Sequence, residues 1–228
     1  MKGDTNMDLT KDELATYLDH TNLKPDATKE QIQKTCEEAK EFNTAAVCVN
    51  AYWASFVAER LAETKIKTCV VVGFPLGATT TEAKVAEAES AMKKGADEID
   101  MVINIGELLS GDNEAVEGDI VAVANAVHAK DKLLKVIIET SFLDEEKIVQ
   151  ACQLAESAKA DFVKTSTGFS SAGAKIADVR LMRETVGDRL GVKASGGIHS
   201  FEEATAMIDA GASRLGVSAT AKILEGNK

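Results

Sequence analysis

Aromatic residues are scarce in this chain, prolines scarcer, and basic residues are outnumbered. Phe, Tyr and Trp make up only 4% of the 228 residues, so a core has to be packed mostly with Ala, Val, Leu and Ile. Two prolines and no Gly/Ser-rich stretch leave no marked linker, and residues 1–228 read as one domain. Lys and Arg number 26 against 37 Asp and Glu, a net charge of −11, which argues against nucleic acid or an anionic membrane as partner. No apolar run is long enough to span a bilayer. The opening MKGDTNMD has no apolar signal-peptide segment; the expectation is a cytoplasmic protein with residues 1–8 as a tail. The four cysteines, Cys36, Cys48, Cys69 and Cys152, show no C-x-x-C spacing and read as free thiols in a reducing compartment. No cluster of His and Cys has metal-ligand spacing, so no metal is expected. The absence of a G-x-G-x-x-G after the first strand weakens an open, doubly wound sheet.

What the chain does have is alternation. Apolar runs at 44–50, 67–75, 98–104, 133–140, 161–166, 191–197 and 213–218 read as strands, several apolar nearly throughout, as in a parallel sheet covered on both faces. A shorter run at 17–23 makes eight. Helix signals fall between them. Thr28–Gln31 and Ser200–Glu203 fit capping boxes, and Thr79 with Glu82 suggests a third before a helix over 82–94. Asp144 fits the N-cap of a helix over 145–158. Eight strands separated by helices in this length fit an α/β fold of the (β/α)8 barrel type, with a short helix before the first strand.

Active sites of such barrels lie at the C-terminal ends of the strands. Polar residues stand there where a core would place apolar ones: Asp19, Cys48, Asn50, Asp100, Asn104, Lys135, Glu139, Lys164 and Lys193. Alternation turns Lys164 away from Val163 and Thr165, and Lys193 away from Val192 and Ala194. One such lysine is as readily a strand-end residue reaching for solvent. Two on consecutive strands, ringed with Asp100 and Lys135, suggest a lysine kept uncharged by repulsion and desolvation, hence a Schiff-base nucleophile with Asp100 moving protons. An ion-pair network of structural purpose remains the alternative. Gly196–Gly197 after the seventh strand, and Gly216–Val217–Ser218 before a final helix over 218–225, suit a phosphate.

The motifs VKTSTGF (163–169), VKASGGI (192–198), EIDMVINIG (98–106), LLKVIIET (133–140), LDHTNLKP (18–25) and VVGFPLGATTTEAK (71–84) resemble the deoxyribose-phosphate aldolase family, from about Leu14 to Leu224. The resemblance implies a class I aldolase of no metal or cofactor, cleaving 2-deoxy-D-ribose 5-phosphate to acetaldehyde and D-glyceraldehyde 3-phosphate. It implies Lys164 as the Schiff-base lysine, Lys193 as the second lysine, and Asp100 as the proton donor and acceptor. Asp19, Thr21, Cys48, Lys135 and Thr165 would line the substrate site. Gly168, Gly196, Gly197, Gly216 and Ser218 would hold the phosphate. A homodimer is the family expectation. Two departures stand out: Phe169 where some relatives carry lysine, and Ala219 where some carry a second serine. Both imply a weaker preference for the phosphate. Another Schiff-base barrel lyase, such as a transaldolase, and a non-catalytic phosphate-binding barrel are the competing readings.

Overall fold

Eight short strands pair in parallel and in sequence order until the last closes on the first: β1 (Leu18–Asn22), β2 (Ala46–Asn50), β3 (Lys67–Val72), β4 (Glu98–Val102), β5 (Leu133–Ile137), β6 (Phe162–Lys164), β7 (Gly191–Ser195) and β8 (Arg214–Val217). This computed structural model describes residues 9–226; the tail expected at residues 1–8 lies outside them. Among the described residues the helices are α1 (Lys11–Ala15), α2 (Lys29–Phe42), α3 (Ala54–Leu61), α4 (Thr81–Lys93), α5 (Ile105–Ser110), α6 (Asn113–His128), α7 (Glu145–Ser157), α8 (Ile176–Val186), α9 (Phe201–Asp209) and α10 (Thr220–Glu225). The eightfold alternation expected from the sequence is therefore a closed (β/α)8 barrel.

Helix ends follow local chemistry. Thr28 and Ser200 close capping boxes with Gln31 and Glu203, and Asp144 accepts from the amide of Lys147. The third cap differs from expectation. Thr80, not Thr79, caps α4, accepting from Ala83 N. Consecutive threonines offer the same hydroxyl at adjacent positions, and only backbone geometry selects between them. The final helix begins at Thr220, two residues later than expected, because Ser218 and Ala219 turn the chain out of β8.

The strands divide their residues by parity. Val47, Val49, Val70, Val72, Ile99, Met101, Leu134, Val136, Val163, Val192 and Leu215 are buried in the main apolar cluster with helix residues such as Ile32, Val57, Ala88, Ile120 and Met182. Alternate residues point into the barrel. On one side of that interior Ala46, Cys48, Cys69 and Val71 form a small apolar cluster with Leu23 and Phe74. On the other side the inward residues are charged. Register fixes who meets whom there: Asp100 lies beside Lys135, and Lys164 beside Lys193.

Candidate active site

Lys164 ends β6, and it is 2% exposed. Its Nζ donates to Asp100 Oδ2 at 2.8 Å, and Lys193 Nζ donates to the same oxygen at 2.7 Å. Lys135 Nζ takes the other oxygen, Oδ1, at 2.8 Å and Glu98 Oε2 at 2.5 Å. Lys193 also pairs with Asp19 Oδ2, whose Oδ1 accepts from Arg214 Nη1 at 2.7 Å. Arg214 reaches Glu98 as well, at 3.1 Å. A continuous network of Lys164, Lys193, Lys135, Arg214, Asp19, Asp100 and Glu98 thus fills one side of the barrel interior.

Burial raises the cost of ionising Asp100, but the ammonium groups of Lys135, Lys164 and Lys193 outweigh it and hold the carboxyl well below its ordinary range. Asp19 is lowered in the same way: Lys193, Arg214 and Lys135 overcome its burial. Burial also opposes the charge on Lys193, yet Asp100 and Asp19 hold its ammonium above the ordinary lysine range. Lys135 is raised too, against burial, by Asp100 and the groups around it. Both cations are therefore fixed.

A cavity of about 600 Å³ opens above this network at the C-terminal ends of the strands. Of the seven networked residues, Lys164 is the one that lines it. The cavity wall includes Thr21, Gly168, Gly196, Gly197, Gly216 and Ser218, which brings the phosphate residues expected from the sequence to one place with Lys164. Lys193, Lys135, Asp100 and Asp19 sit beneath, each fully buried. Two expected residues do something else. Cys48 is buried beside Cys69 in the apolar part of the interior. Thr165 is fully buried, and its hydroxyl donates to Ser195 O and accepts from Ser195 N, so it ties β6 to β7.

Local geometry explains the glycines. Gly196 and Gly197 both lie in the left-handed region, with φ of 82° and 78°, where consecutive side chains are strained. A Cβ on Gly216 would come within 2.9 Å of Ser195 Cβ and 3.2 Å of Lys193 Cε; its absence leaves the Lys193 stem room to pass. Gly173, not singled out from the sequence, presses on Gly196, where a Cβ would meet the carbonyl oxygen at 2.1 Å. Glu139 was visible only as a polar strand end. It carries φ of 55° and its carboxylate accepts the Thr167 amide, which anchors the loop after Lys164. Glu98 and Arg214 also joined the network unforeseen, and Cys69 touches it, its thiol donating to Asp100 Oδ1 at 3.2 Å. The available signal was parity: Glu98 stands two residues before Asp100, and Arg214 two before Gly216.

Cys48, Cys69 and Asp100 offer ligand atoms within 4.8 Å of one another, as do Asp19, Cys69 and Glu98. Lysine ammonium groups already hold these carboxylates, so a bound metal ion would have to displace a cation of the protein from either place. Among the described residues no helix is long and apolar enough to cross a membrane.

The model of the DeoC/LacD family aldolases matches residues 14–225. The chain belongs to that family. Among curated members, the deoxyribose-phosphate aldolase of Lactococcus lactis subsp. lactis (strain IL1403) is 58% identical over 210 residues, covering 92% of this chain and 94% of that one. The deoxyribose-phosphate aldolase of Aciduliprofundum boonei is 58% identical over 213 residues, covering 93% and 96%. Among solved structures, the deoxyribose phosphate aldolase of Aeropyrum pernix, described as a unique tetramer, superposes with a TM-score of 0.89 at 31% identity, covering 95% of this chain and 91% of that one. Family membership gives the buried lysines a context: barrels of this kind are aldolases, and the cavity here ends on an amine.

Proposed function

We propose that this barrel is a class I aldolase that reversibly cleaves 2-deoxy-D-ribose 5-phosphate to acetaldehyde and D-glyceraldehyde 3-phosphate, with Lys164 as the Schiff-base amine. The observation that carries the reading is that Lys164 alone of the interior network meets the cavity, on an oxygen it shares with Lys193. Attack requires a neutral amine. Asp19, Asp100 and Glu98 are already matched by Lys135, Lys193 and Arg214, so the interior charge balances when Lys164 carries none.

In this mechanism the Lys164 amine adds to the C1 aldehyde of the open-chain sugar and water leaves, giving a cationic imine. The C3 hydroxyl loses its proton to a base, Asp100 acting through water. The C2–C3 bond then breaks, its electron pair moving into the imine to form an enamine, and C3 becomes the aldehyde of glyceraldehyde 3-phosphate. Protonation at C2 and attack by water release the two-carbon acetaldehyde and restore the amine. Lys193 stays a cation that holds Asp100 and Asp19 in place. Gly168, Gly196, Gly197, Gly216 and Ser218 receive the phosphate, Thr21 faces the sugar, and Asp19 and Lys135 brace the network. Cys48 and Thr165 contribute from behind the wall rather than from it.

The family resemblance supports a cytoplasmic homodimer of single-domain chains. Sedimentation equilibrium would return twice the chain mass, and a tetramer like that described for the Aeropyrum pernix protein would overturn it.

Borohydride reduction in the presence of deoxyribose 5-phosphate tests the chemistry. A stable adduct on Lys164, found by peptide mass spectrometry, is expected. Lys164→Ala is expected to form none and to lose activity by at least about 10⁴-fold. A barrel that merely binds the anion would give no adduct in either protein, and another Schiff-base lyase would yield a product other than acetaldehyde.

A further inference from the structure

The outward face of the barrel strands is apolar almost throughout, and β1 interrupts it with an imidazole. His20 is 5% exposed and stands in register with Val217 of β8. Its Nε2 lies 2.9 Å from Glu38 Oε2 on α2, and its Nδ1 lies 2.7 Å from the hydroxyl of Thr220, the first residue of α10. The proton arrangement follows from the partners. A carboxylate can only accept, so Nε2 carries a proton. Burial holds the imidazole below its ordinary pKa, against the pull of Glu38, and keeps it neutral. Nδ1 is then an acceptor, and the Thr220 hydroxyl, itself fully buried, donates to it.

The chain Glu38–His20–Thr220 brackets the short segment 217–220. Its first residue is fixed beside His20 by strand pairing and its last by the hydroxyl bond. Between them Ser218 faces the cavity that Lys164 also lines, with Gly216 just before. His20, Glu38 and Lys34 also line that cavity, and Lys34 pairs with Glu38 at 3.5 Å. We infer that His20 is a positioning residue: through Thr220 it sets the segment that bears Ser218 and follows Gly216, and so the grip on the phosphate end of the substrate, without touching the reacting carbons. This rests on the function proposed above. It accounts for an imidazole placed where the neighbouring strands carry Val47 and Val217, since a buried polar group is costly unless both its nitrogens are used.

The test separates phosphate binding from chemistry. Inorganic phosphate affinity is measured by calorimetry, alongside KM and kcat for deoxyribose 5-phosphate and kcat/KM for deoxyribose. Thr220→Val removes the hydroxyl, and His20→Gln keeps the donor to Glu38 while losing the acceptor. Both are expected to weaken phosphate binding and raise KM for the sugar phosphate about tenfold, with kcat and the deoxyribose reaction unchanged. His20→Asn, whose amide oxygen can stand where Nδ1 stood, and Thr220→Ser, which restores the hydroxyl, are expected to stay within about twofold of the parent. Unchanged phosphate affinity in Thr220→Val and His20→Gln would overturn the inference. So would parallel losses on both sugars, which mark a merely structural role. A wild-type protein that forms no borohydride adduct would instead sink the aldolase reading, and the phosphate affinities would still judge His20.

Discussion

The two faces of one strand teach different lessons. On β4, Ile99 and Met101 point toward the helices and join the apolar cluster, while Glu98 and Asp100 point inward and join the charge network. On β7, Val192 and Ala194 face out, and Lys193 faces in. All are equally buried. The outer face gains from every methylene removed from water, whereas the inner face depends on pairing, because a buried charge without its partner is strongly destabilising. The barrel keeps its stability on one face and its chemistry on the other, one residue apart.

Breaking the inner face should give the largest effect. Asp100→Asn removes the carboxylate on which three lysines converge; Lys193 keeps Asp19 and Lys135 keeps Glu98, while Lys164 loses its carboxylate partner and the buried charge balance is broken. We expect activity on deoxyribose 5-phosphate to fall by at least about 10³-fold and stability by about 3–5 kcal/mol, read from initial rates and urea unfolding. A variant with near-normal rates would remove Asp100 from the mechanism. Ile99→Ala, its neighbour on the outer face, should cost about 2–5 kcal/mol in stability while kcat/KM at 25 °C changes less than about threefold. A matching loss of activity would show that the faces are not separable.

Acid sharpens the same contrast without mutation. The carboxyls of Asp100 and Asp19 titrate lower in the folded state than in the unfolded one. Their contribution to stability is present above the unfolded value, near pH 4, and is lost as pH falls toward the folded values. The urea midpoint should therefore stay level from about pH 7 to 5 and drop below about pH 4; Asp100→Asn should flatten that drop. On the alkaline side burial pushes the Cys36 and Cys152 thiols up to about 11 and about 12, so unfolded-state ionisation erodes stability above about pH 9.

The smallest effect is expected at the rim. Phe169 is half-exposed beside Gly168 in the cavity wall, and its ring meets Phe74 edge-on at 5.3 Å. Phe169→Lys should raise the kcat/KM preference for deoxyribose 5-phosphate over deoxyribose by roughly fivefold, mostly through KM, as one screened charge near a phosphate would. An unchanged ratio would show that Phe169 does not set phosphate discrimination.

Much of this was written in the sequence. Apolar runs of strand length between capped helices gave eight βα units, and parity within a strand turned Lys164, Lys193, Asp100 and Lys135 to one side, because side-chain direction in a strand has a fixed period of two. Closure of β8 onto β1, 195 positions apart at the Arg214–Asp19 contact, was not local information. Only closure put Asp19 on Lys193 and Arg214 on Glu98, made both lysines share one oxygen of Asp100, left Lys164 as the single networked amine at the cavity, and buried Thr165 and Cys48 behind its wall. It also explains His20: in the sequence it stood only inside the motif LDHTNLKP, and its partners Glu38 and Thr220 come from opposite ends of the chain. Local sequence fixes which way a side chain points; the packing of distant segments decides what it meets, and charge and proton position depend on what is met.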